Sequence, residues 1–301
     1  MQQQYNPLNK DILININGRL LHRDEAGVSP FDSVVQGGDA VWEGLRVYEG
    51  KIFRLKEHLD RLRSSALALA FKDIPTHEEI TTQIKQTLEA NNMFDGVHIR
   101  LTLTRGVKIT SGMDPRLNTG GPTLIVLAEH KSPVYDKTGI RLITSSIRRP
   151  PPDIFDQKIH SCNLIPSIMA KIQANAAGAD DALMLDTAGF VAETNATHIF
   201  IVHHELVKTP YAKACPEGIT RSTVLQLCKQ NGIPYAESNI SVTEVYRADE
   251  MFCTGTMGEI VSVVEVDQRP IGNKDGGEVT QRLQSLFGEL TKKEGEVLIN
   301  R

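Results

Sequence analysis

Residues 215–222 of this chain, CPEGITRS, lie between a strand-like segment and the helix pattern TVLQLCKQ. Gly218 has no side chain, so the backbone at this strand-to-helix connection can approach a ligand closely. The free N–H groups at the start of the helix, together with the Thr220 hydroxyl, can bind a phosphate group. The stretch therefore predicts an α/β unit with an anion site, with an ordinary capped helix as the alternative.

A second Thr/Gly turn, TGTMGE at 254–259, follows the strand-like segment EMFC. Its N–H groups and hydroxyls could reach the same anion as the helix start. This turn is the second candidate for the predicted phosphate site.

Strand and helix patterns alternate through the second half of the chain around these two turns. The predicted strands lie at 140–149, 181–193, 197–210, 233–241, 250–254 and 260–267. The predicted helices lie at about 161–178, 218–232 and 277–292.

The first half of the chain has an α+β pattern. A β-hairpin is predicted at 11–22, where Asn17-Gly18 interrupts an apolar alternation. The other predicted elements of this half are strands between 40 and 55, helices at 56–70 and 77–92, and strands at 97–106 and 122–130.

The polar, turn-rich segment KSPVYDKTG at 131–139 is the best candidate for an interdomain linker, because a strand pattern starts again directly after it. We therefore predict an N-terminal α+β domain at 1–130 and a second domain at 140–301. A chain of 301 residues is long enough for two domains with separate cores.

Charge and composition exclude several classes of protein. A net charge of -4 and a pI of about 6.2 argue against a nucleic-acid partner or a polybasic membrane surface. The first 20 residues have neither the pattern of a signal peptide nor that of a membrane span, so we expect a cytoplasmic protein. The four cysteines show no zinc-ligand spacing, which predicts reduced thiols and no metal site: Cys162, Cys215, Cys228 and Cys253.

Arg61 is a candidate for binding the same phosphate. It lies beside Leu62 on a helix whose apolar positions define an inward face, and a guanidinium group can hold a phosphate with two hydrogen bonds. The alternative is a surface arginine paired with Glu57, four residues earlier.

Taken together, the motifs between about residues 10 and 290 resemble the class IV (fold type IV) pyridoxal-phosphate aminotransferases. That family includes branched-chain and D-amino-acid aminotransferases and aminodeoxychorismate lyase. The segments that carry the resemblance are WEGLRVY (42–48), FRL to RL (53–62), HIRL (98–101), 163–174, GADDAL (178–183), ETN to IF (193–200), GITR (218–221) and GTMGE (255–259).

The resemblance implies an α/β (α+β) two-domain fold with pyridoxal 5'-phosphate between the domains, and a homodimer. It implies a phosphate cup that is formed by Arg61, Gly218, Ile219, Thr220, Thr256 and Met257. Glu193 matches the residue that faces the pyridine nitrogen and keeps it protonated, with a solvated strand-end glutamate as the alternative. The candidates for the substrate pocket are Trp42, His98 and Arg100.

The segment DQKIHSCNL at 156–164 departs from the family pattern. It resembles the segment that carries the cofactor-binding lysine, but His160 occupies the lysine position. A lysine amine bonds to the cofactor aldehyde and later moves protons, whereas imidazole can only move protons. Further departures occur where the family commonly has tyrosines, at Leu164, Gly37 and His98.

Three interpretations of this segment stay open. Lys158 could bond covalently to the cofactor, since alternate residues of a strand share a face, and His160 would then assist proton transfer. His160 could instead act as the general base while the cofactor is bound without a covalent link. The third interpretation is a pyridoxal-phosphate-binding protein without transaminase activity.

The predicted reaction exchanges an amino group between an amino acid and a 2-oxo acid. A branched-chain or other apolar amino acid is the default substrate, because that is the commonest use of the family. A D-amino-acid or amine transaminase and an aminodeoxychorismate-lyase-like enzyme are the alternatives.

Overall fold

The computed structural model describes residues 4–132, 135, 138–272 and 277–300. Within these residues the helices are α1 (Ser33–Gly37), α2 (Leu55–Ala68), α3 (His77–Ala90), α4 (Pro152–Phe155), α5 (Ile165–Ala176), α6 (Ile219–Gln230), α7 (Val242–Tyr246) and α8 (Glu278–Lys293).

The strands of the same residues form two sheets. In chain order they are β1 (Leu13–Ile16), β2 (Arg19–His22), β3 (Ala40–Tyr48), β4 (Lys51–Ile52), β5 (Val97–Thr104), β6 (Thr123–His130), β7 (Ile140–Arg148), β8 (Asp181–Leu185), β9 (Val191–Thr194), β10 (His198–His203), β11 (Leu206–Pro210), β12 (Tyr235–Ser238), β13 (Glu250–Gly255), β14 (Glu259–Val266), β15 (Arg269–Pro270) and β16 (Glu296–Val297).

The contacts divide the described residues into two units, each with its own sheet. The first unit contains residues 4–132, 159–163 and 291–300, and the second contains the described residues of 135–158 and 164–290. The predicted division into 1–130, 131–139 and 140–301 stays a prediction. The contacts differ from it at 159–163 and 291–300, because these segments pair with β3 and β4 of the first unit.

The first unit has an antiparallel sheet in the order β16-β4-β3-β5-β6-β1-β2. The apolar alternation of β3 directs Val41 and Leu45 to one face, where they pack with Leu59 and Leu62 of α2. Helix α3 begins with a capping box between Thr76 and Glu79.

Residues 160–162 run antiparallel to the start of β3. Val41 and Ser161 form an antiparallel bridge, and Cys162 N–H donates to the Ala40 carbonyl at 2.9 Å. The predicted helix at 161–178 therefore started too early, since α5 begins only at Ile165, with a proline in its first turn. A proline there loses no intrahelical bond, because its position would leave the N–H unpaired in any case.

The second unit has a mixed sheet in the order β12-β11-β10-β13-β14-β7-β8-β9, with β15 paired to β14. Strand β7 is parallel to both β14 and β8, and α5 packs Ala170 and Ala174 against Ala182 and Met184 of β8. Since small side chains lie at this contact, the helix can approach the sheet closely.

Most predicted elements are confirmed, including the 11–22 hairpin, whose Asn17 and Gly18 both have positive φ. Sequence patterns missed the short helices α1, α4 and α7, and the strand β16, which follows the last predicted helix. In the part of the chain that the structure describes, no helix combines the length and hydropathy that are needed to cross a bilayer.

We expect Leu62→Ala to reduce the free energy of unfolding by about 2–5 kcal/mol, because it leaves a cavity between α2 and the first sheet. Leu67→Ala, on the exposed side of the same helix, should change it by less than about 0.5 kcal/mol. Urea denaturation of both variants measures the difference. Equal losses would show that α2 does not bury the face assigned to it.

Candidate active site

Glu43 is a fully buried carboxylate in the core of the first unit. By strand alternation it shares the face of Val41 and Leu45, which lies beneath α2. A carboxylate in such surroundings must be paired, because an unpaired buried charge is very costly.

Three side chains surround this carboxylate. Arg61 donates through Nε to Oε1 and through Nη2 to Oε2, both at 2.7 Å, and His58 Nδ1 lies 2.6 Å from Oε2. His160 Nδ1 lies 3.3 Å from Oε1, without the angle of a hydrogen bond. Burial raises the pKa of Glu43, but Arg61 and His160 lower it more, so that it is well below the ordinary value.

Helical spacing brings the α2 residues to this point. His58, Arg61 and Ser65 recur at intervals of three and four residues and therefore lie on one side of the helix. Glu57, the alternative partner considered for Arg61, lies 3.3 Å from Arg54 in an ion pair. Its role as a phosphate ligand stays a prediction, and the structure adds that Nε and Nη2 are directed at Glu43.

His160 is held on three sides within the first unit. Its backbone N–H donates to Ser65 Oγ at 3.0 Å, and its carbonyl accepts from Trp42 N–H at 3.0 Å. The Trp42 ring stacks on the imidazole with centroids 4.4 Å apart. Burial lowers the pKa of His160, partly offset by Glu43, and this favours a neutral imidazole.

Trp42, Arg100 and His98 belong to the opposite face of the same sheet. The Arg100 guanidinium lies 3.4 Å from the centre of the Trp42 ring, which is therefore stacked between a cation and His160. Burial lowers the pKa of His98 to about 3, with Lys131 and Arg100 adding to the effect, so this imidazole is neutral near pH 7. The three predicted substrate residues thus lie on one sheet face.

Lys158 differs from His160 in its surroundings. Its side chain is exposed, and its N–H donates to Asp156 Oδ1 at 2.9 Å in a turn. The expectation that Lys158 and His160 share the face of a strand was wrong, because this turn occupies 157–158. Contacts also assign Lys158 to the second unit and His160 to the first.

In the second unit, the start of α6 fits a phosphate group. Gly218 occupies the N-cap position, where it has no side chain to bond the first N–H groups. A Cβ at Gly218 would lie 2.3 Å from the ring of His198, so only glycine fits beside this buried histidine. Ile219 and the mostly buried Thr220 follow as the first helical residues.

The Thr/Gly turn at 254–259 begins next to the same histidine, His198. His198 pairs with Thr254 of β13, and the turn of Thr256 and Met257 follows at the end of that strand. The buried Thr254 Oγ1 has no hydrogen-bond partner among the described residues. Both predicted phosphate-binding segments therefore flank the first residue of β10, which is what a shared anion site requires.

Glu193 is buried at the end of β9, close to the same segment. Its Oε1 lies 2.9 Å from Arg149 Nε, and Arg149 Nη2 donates to the Thr194 carbonyl at 3.2 Å. Thr194 N–H in turn donates to the Thr197 carbonyl, next to His198. A buried carboxylate beside an arginine can accept a hydrogen bond from a protonated ring nitrogen, so these residues fit pyridoxal phosphate.

Sequence reasoning missed Glu43, His58 and Arg149. Glu43 gave a signal, since it is a charged residue at an apolar position of the alternating segment AVWEGLRVY. The sequence signal for His58 is weaker: this residue lies three positions before Arg61, on the inward side of α2. Arg149 gave none, because its partner Glu193 lies in a distant segment.

Comparison with known proteins agrees with this geometry. The amino-transferase class IV family model matches residues 40–266. The chain is 44% identical over 284 residues to a putative branched-chain-amino-acid aminotransferase of Methanocaldococcus jannaschii, and the match covers 94% of this chain and 97% of the relative. The chain therefore belongs to the class IV aminotransferases, whose cofactor is pyridoxal 5'-phosphate.

A second relative is longer than this chain. Branched-chain-amino-acid aminotransferase-like protein 2 of Arabidopsis thaliana is 53% identical over 290 residues, which are 96% of this chain and 52% of the relative. The chain thus spans about half the length of that protein.

Solved structures confirm the fold. The branched-chain aminotransferase of the archaeon Thermoproteus uzoniensis, solved with norvaline, has a TM-score of 0.85 at 29% identity, and the match covers 93% of this chain and 94% of its own. The Escherichia coli branched-chain amino acid aminotransferase has a TM-score of 0.85 at 28% identity, with 95% and 96% covered. The predicted mixed α/β fold of type IV is confirmed.

We expect Gly218→Ala to weaken pyridoxal 5'-phosphate binding roughly tenfold or more, since overfilling a tight site costs about 1–3 kcal/mol. Gly288→Ala is the control, because a Cβ at that position of α8 meets nothing within 4 Å. Cofactor titration followed by absorbance measures the affinities, and circular dichroism checks the fold. An unchanged cofactor affinity in Gly218→Ala would contradict the assignment of α6 to the cofactor site.

Proposed function

We propose that this protein is a pyridoxal-phosphate-dependent aminotransferase that exchanges an amino group between an amino acid and a 2-oxo acid. The observation that carries the proposal is the arrangement of α6, the 254–259 turn and the Glu193–Arg149 pair around the start of β10. The α6 N–H groups and Thr220 bind the phosphate, with Gly218, Ile219, Thr256 and Met257 shaping the cup. Glu193 accepts a hydrogen bond from the protonated pyridine nitrogen.

A branched-chain or other apolar amino acid is the substrate that we propose first. Relatives from several organisms are branched-chain-amino-acid aminotransferases by name, and one solved relative is complexed with 4-methylvaleric acid. Trp42 offers an aromatic surface, and Arg100 offers a cation for a carboxylate. A D-amino acid is the alternative, because a D-alanine aminotransferase of Bacillus licheniformis is 31% identical over 277 residues.

His160 is the residue that we assign to proton transfer at the substrate carbon. When bound, pyridoxal phosphate withdraws electrons from that carbon, and the proton then needs an acceptor. A neutral imidazole can take it at Nε2, and Glu43 stabilises the imidazolium that forms. The exposed Lys158 has no such partner for this task, so we favour non-covalent binding of the cofactor.

A binding protein without transaminase activity is the second candidate. The observation that favours it is the lack of a lysine at position 160, since a cofactor held by the cup alone does not require catalysis. Loss of the reaction with retention of the cofactor would identify this case.

We also propose a homodimer and a cytoplasmic location. Helix α5 carries an exposed apolar stripe at helical spacing, formed by Ile165 (68% exposed), Ile168 (56%), Met169 (47%) and Ile172 (60%). Such a stripe is typical of a surface that a second subunit covers. The four cysteines are free thiols, which suits a reducing compartment.

His160→Ala should lose about 100-fold or more in transamination of L-leucine with 2-oxoglutarate, as expected for removal of a general base. Lys158→Ala should retain the activity, because its side chain is exposed in a turn. Borohydride treatment of the holoprotein, followed by peptide mass mapping, should give no adduct while absorbance shows bound cofactor. An adduct on Lys158, or an active His160→Ala, would overturn the assignment of His160.

Ile168→Asp should convert the proposed dimer to monomers, because it places a charge in the α5 stripe. Ile154→Asp is the matched control, since Ile154 is 72% exposed outside that stripe. Sedimentation equilibrium at low micromolar concentration measures the mass. A parent protein that is monomeric, or an Ile168→Asp variant that stays dimeric, contradicts the proposed surface.

A further inference from the structure

The buried carboxylate of Glu43 connects His160 to a histidine that has no assigned function, His58. Oε2 accepts from Arg61 Nη2 at 2.7 Å and lies 2.6 Å from His58 Nδ1. Oε1 accepts from Arg61 Nε at 2.7 Å and faces His160 Nδ1 at 3.3 Å. Each oxygen thus has one contact to the guanidinium and one to an imidazole.

We propose that Glu43 and His58 are positioning residues that fix the tautomer and the orientation of His160, with the hydrogen on Nδ1 and the lone pair on Nε2. This inference deepens the proposed function, because it rests on His160 as the group that moves the proton. It gives His58 a role that neither the sequence pattern nor the family resemblance indicates.

The hydrogens of this cluster follow from the charge of Glu43. An ionised carboxylate can only accept hydrogen bonds, so the hydrogen of the short contact lies on His58 Nδ1. His160 Nδ1 lies 3.3 Å from Oε1 without the angle of a hydrogen bond, so its hydrogen is part of the proposal: the negative carboxylate favours the tautomer with the hydrogen on the nitrogen that faces it. A neutral imidazole carries one hydrogen, so Nε2 of His160 is left as the basic nitrogen.

The charges that face His160 allow it to be neutral before the reaction. Glu43 of β3 carries one negative charge and Arg61 of α2 carries one positive charge, so these two balance. Arg100 of β5 adds a second positive charge across the Trp42 ring. When Nε2 takes a proton, Glu43 is the only acidic group among these neighbours, and it stabilises the new charge.

His58 acts on His160 through Glu43, without touching it. His58 is 3% exposed and lies in α2 between core positions, and its Nδ1 contacts Oε2. Its bond to Oε2 therefore restricts the plane of the carboxylate and the direction of Oε1. The arrangement follows the logic of a carboxylate that orients a catalytic imidazole.

His58→Leu and His58→Asn test the role of His58. Leucine suits the apolar surroundings but has no donor, whereas the Asn amide places an N–H close to the position of Nδ1. Nitrogen-15 spectra of the histidine-labelled apoprotein report the tautomer, and the His160 signals are identified by their loss in His160→Gln. We expect the Nδ1-protonated form in the parent and in His58→Asn, and a mixture of tautomers in His58→Leu.

The kinetics of the holoenzyme give a second measurement. His58→Leu should lower kcat roughly 10- to 100-fold with little change in KM, because the residue that orients the active-site group through a hydrogen bond is lost. His58→Asn should restore kcat. Glu43→Gln should move the His160 titration to lower pH, because it removes the negative charge that favours the imidazolium. Thermal melts confirm that each variant is folded.

The outcomes separate this inference from the proposed function. If His58→Leu leaves the His160 spectrum and titration unchanged, or affects kcat no more than His58→Asn, the inference is overturned even when the parent is an active aminotransferase. If the tautomer changes as expected but the parent has no transaminase activity, the inference about His160 holds and the proposed function fails.

Discussion

The pairing of the buried Glu43 carboxylate is the interaction on which the first unit depends. A charge in a core is tolerated only when its oxygens are bonded, and removing one partner of a buried pair costs about 3–5 kcal/mol. Here the partners come from α2 and from the segment at 159–163. The carboxylate therefore fixes the positions of β3, α2 and the segment at 159–163 relative to one another.

The same constraint explains why the chain at 160–162 is bonded to β3 and is not helical. Its backbone bonds to β3 and Ser65 place His160 between the Trp42 ring and Glu43, which a helix at these residues would prevent. In the second unit, the start of β10 has a comparable role. There Gly218, Thr254 and the Glu193 segment meet at Thr197 and His198, so one short segment organises the groups that fit the cofactor.

Local patterns predicted most of the fold, since hairpins, amphipathic helices and capped turns depend on nearby residues. The role of Gly218 in letting the backbone approach a ligand stays a prediction, and its packing against the His198 ring was not predicted. The partners of Arg61 and Glu193 were not predicted, because both depend on tertiary contacts. Arg61 lies 18 residues from Glu43, and helical spacing gave no reason to prefer Glu43 to the nearby Glu57. The turn before His160 was missed although it is local, since the Lys158 N–H donates to Asp156 Oδ1 two residues earlier and ends the apparent strand.

The surroundings of position 160 suit imidazole as a proton carrier. An imidazole that is buried beside one carboxylate and one guanidinium is neutral until it accepts a proton, and it then gains an ion pair without any movement of Glu43. Its unperturbed pKa of about 6.5 is close to physiological pH. Burial lowers the pKa of His160 and Glu43 offsets part of that effect, so the imidazole is neutral before it accepts a proton. A carboxylate that is already fixed by Arg61 and His58 supplies this balance. The proton transfer that we propose at position 160 therefore depends on an ordered partner for the imidazole, and a covalent bond such as a lysine would form is not part of it.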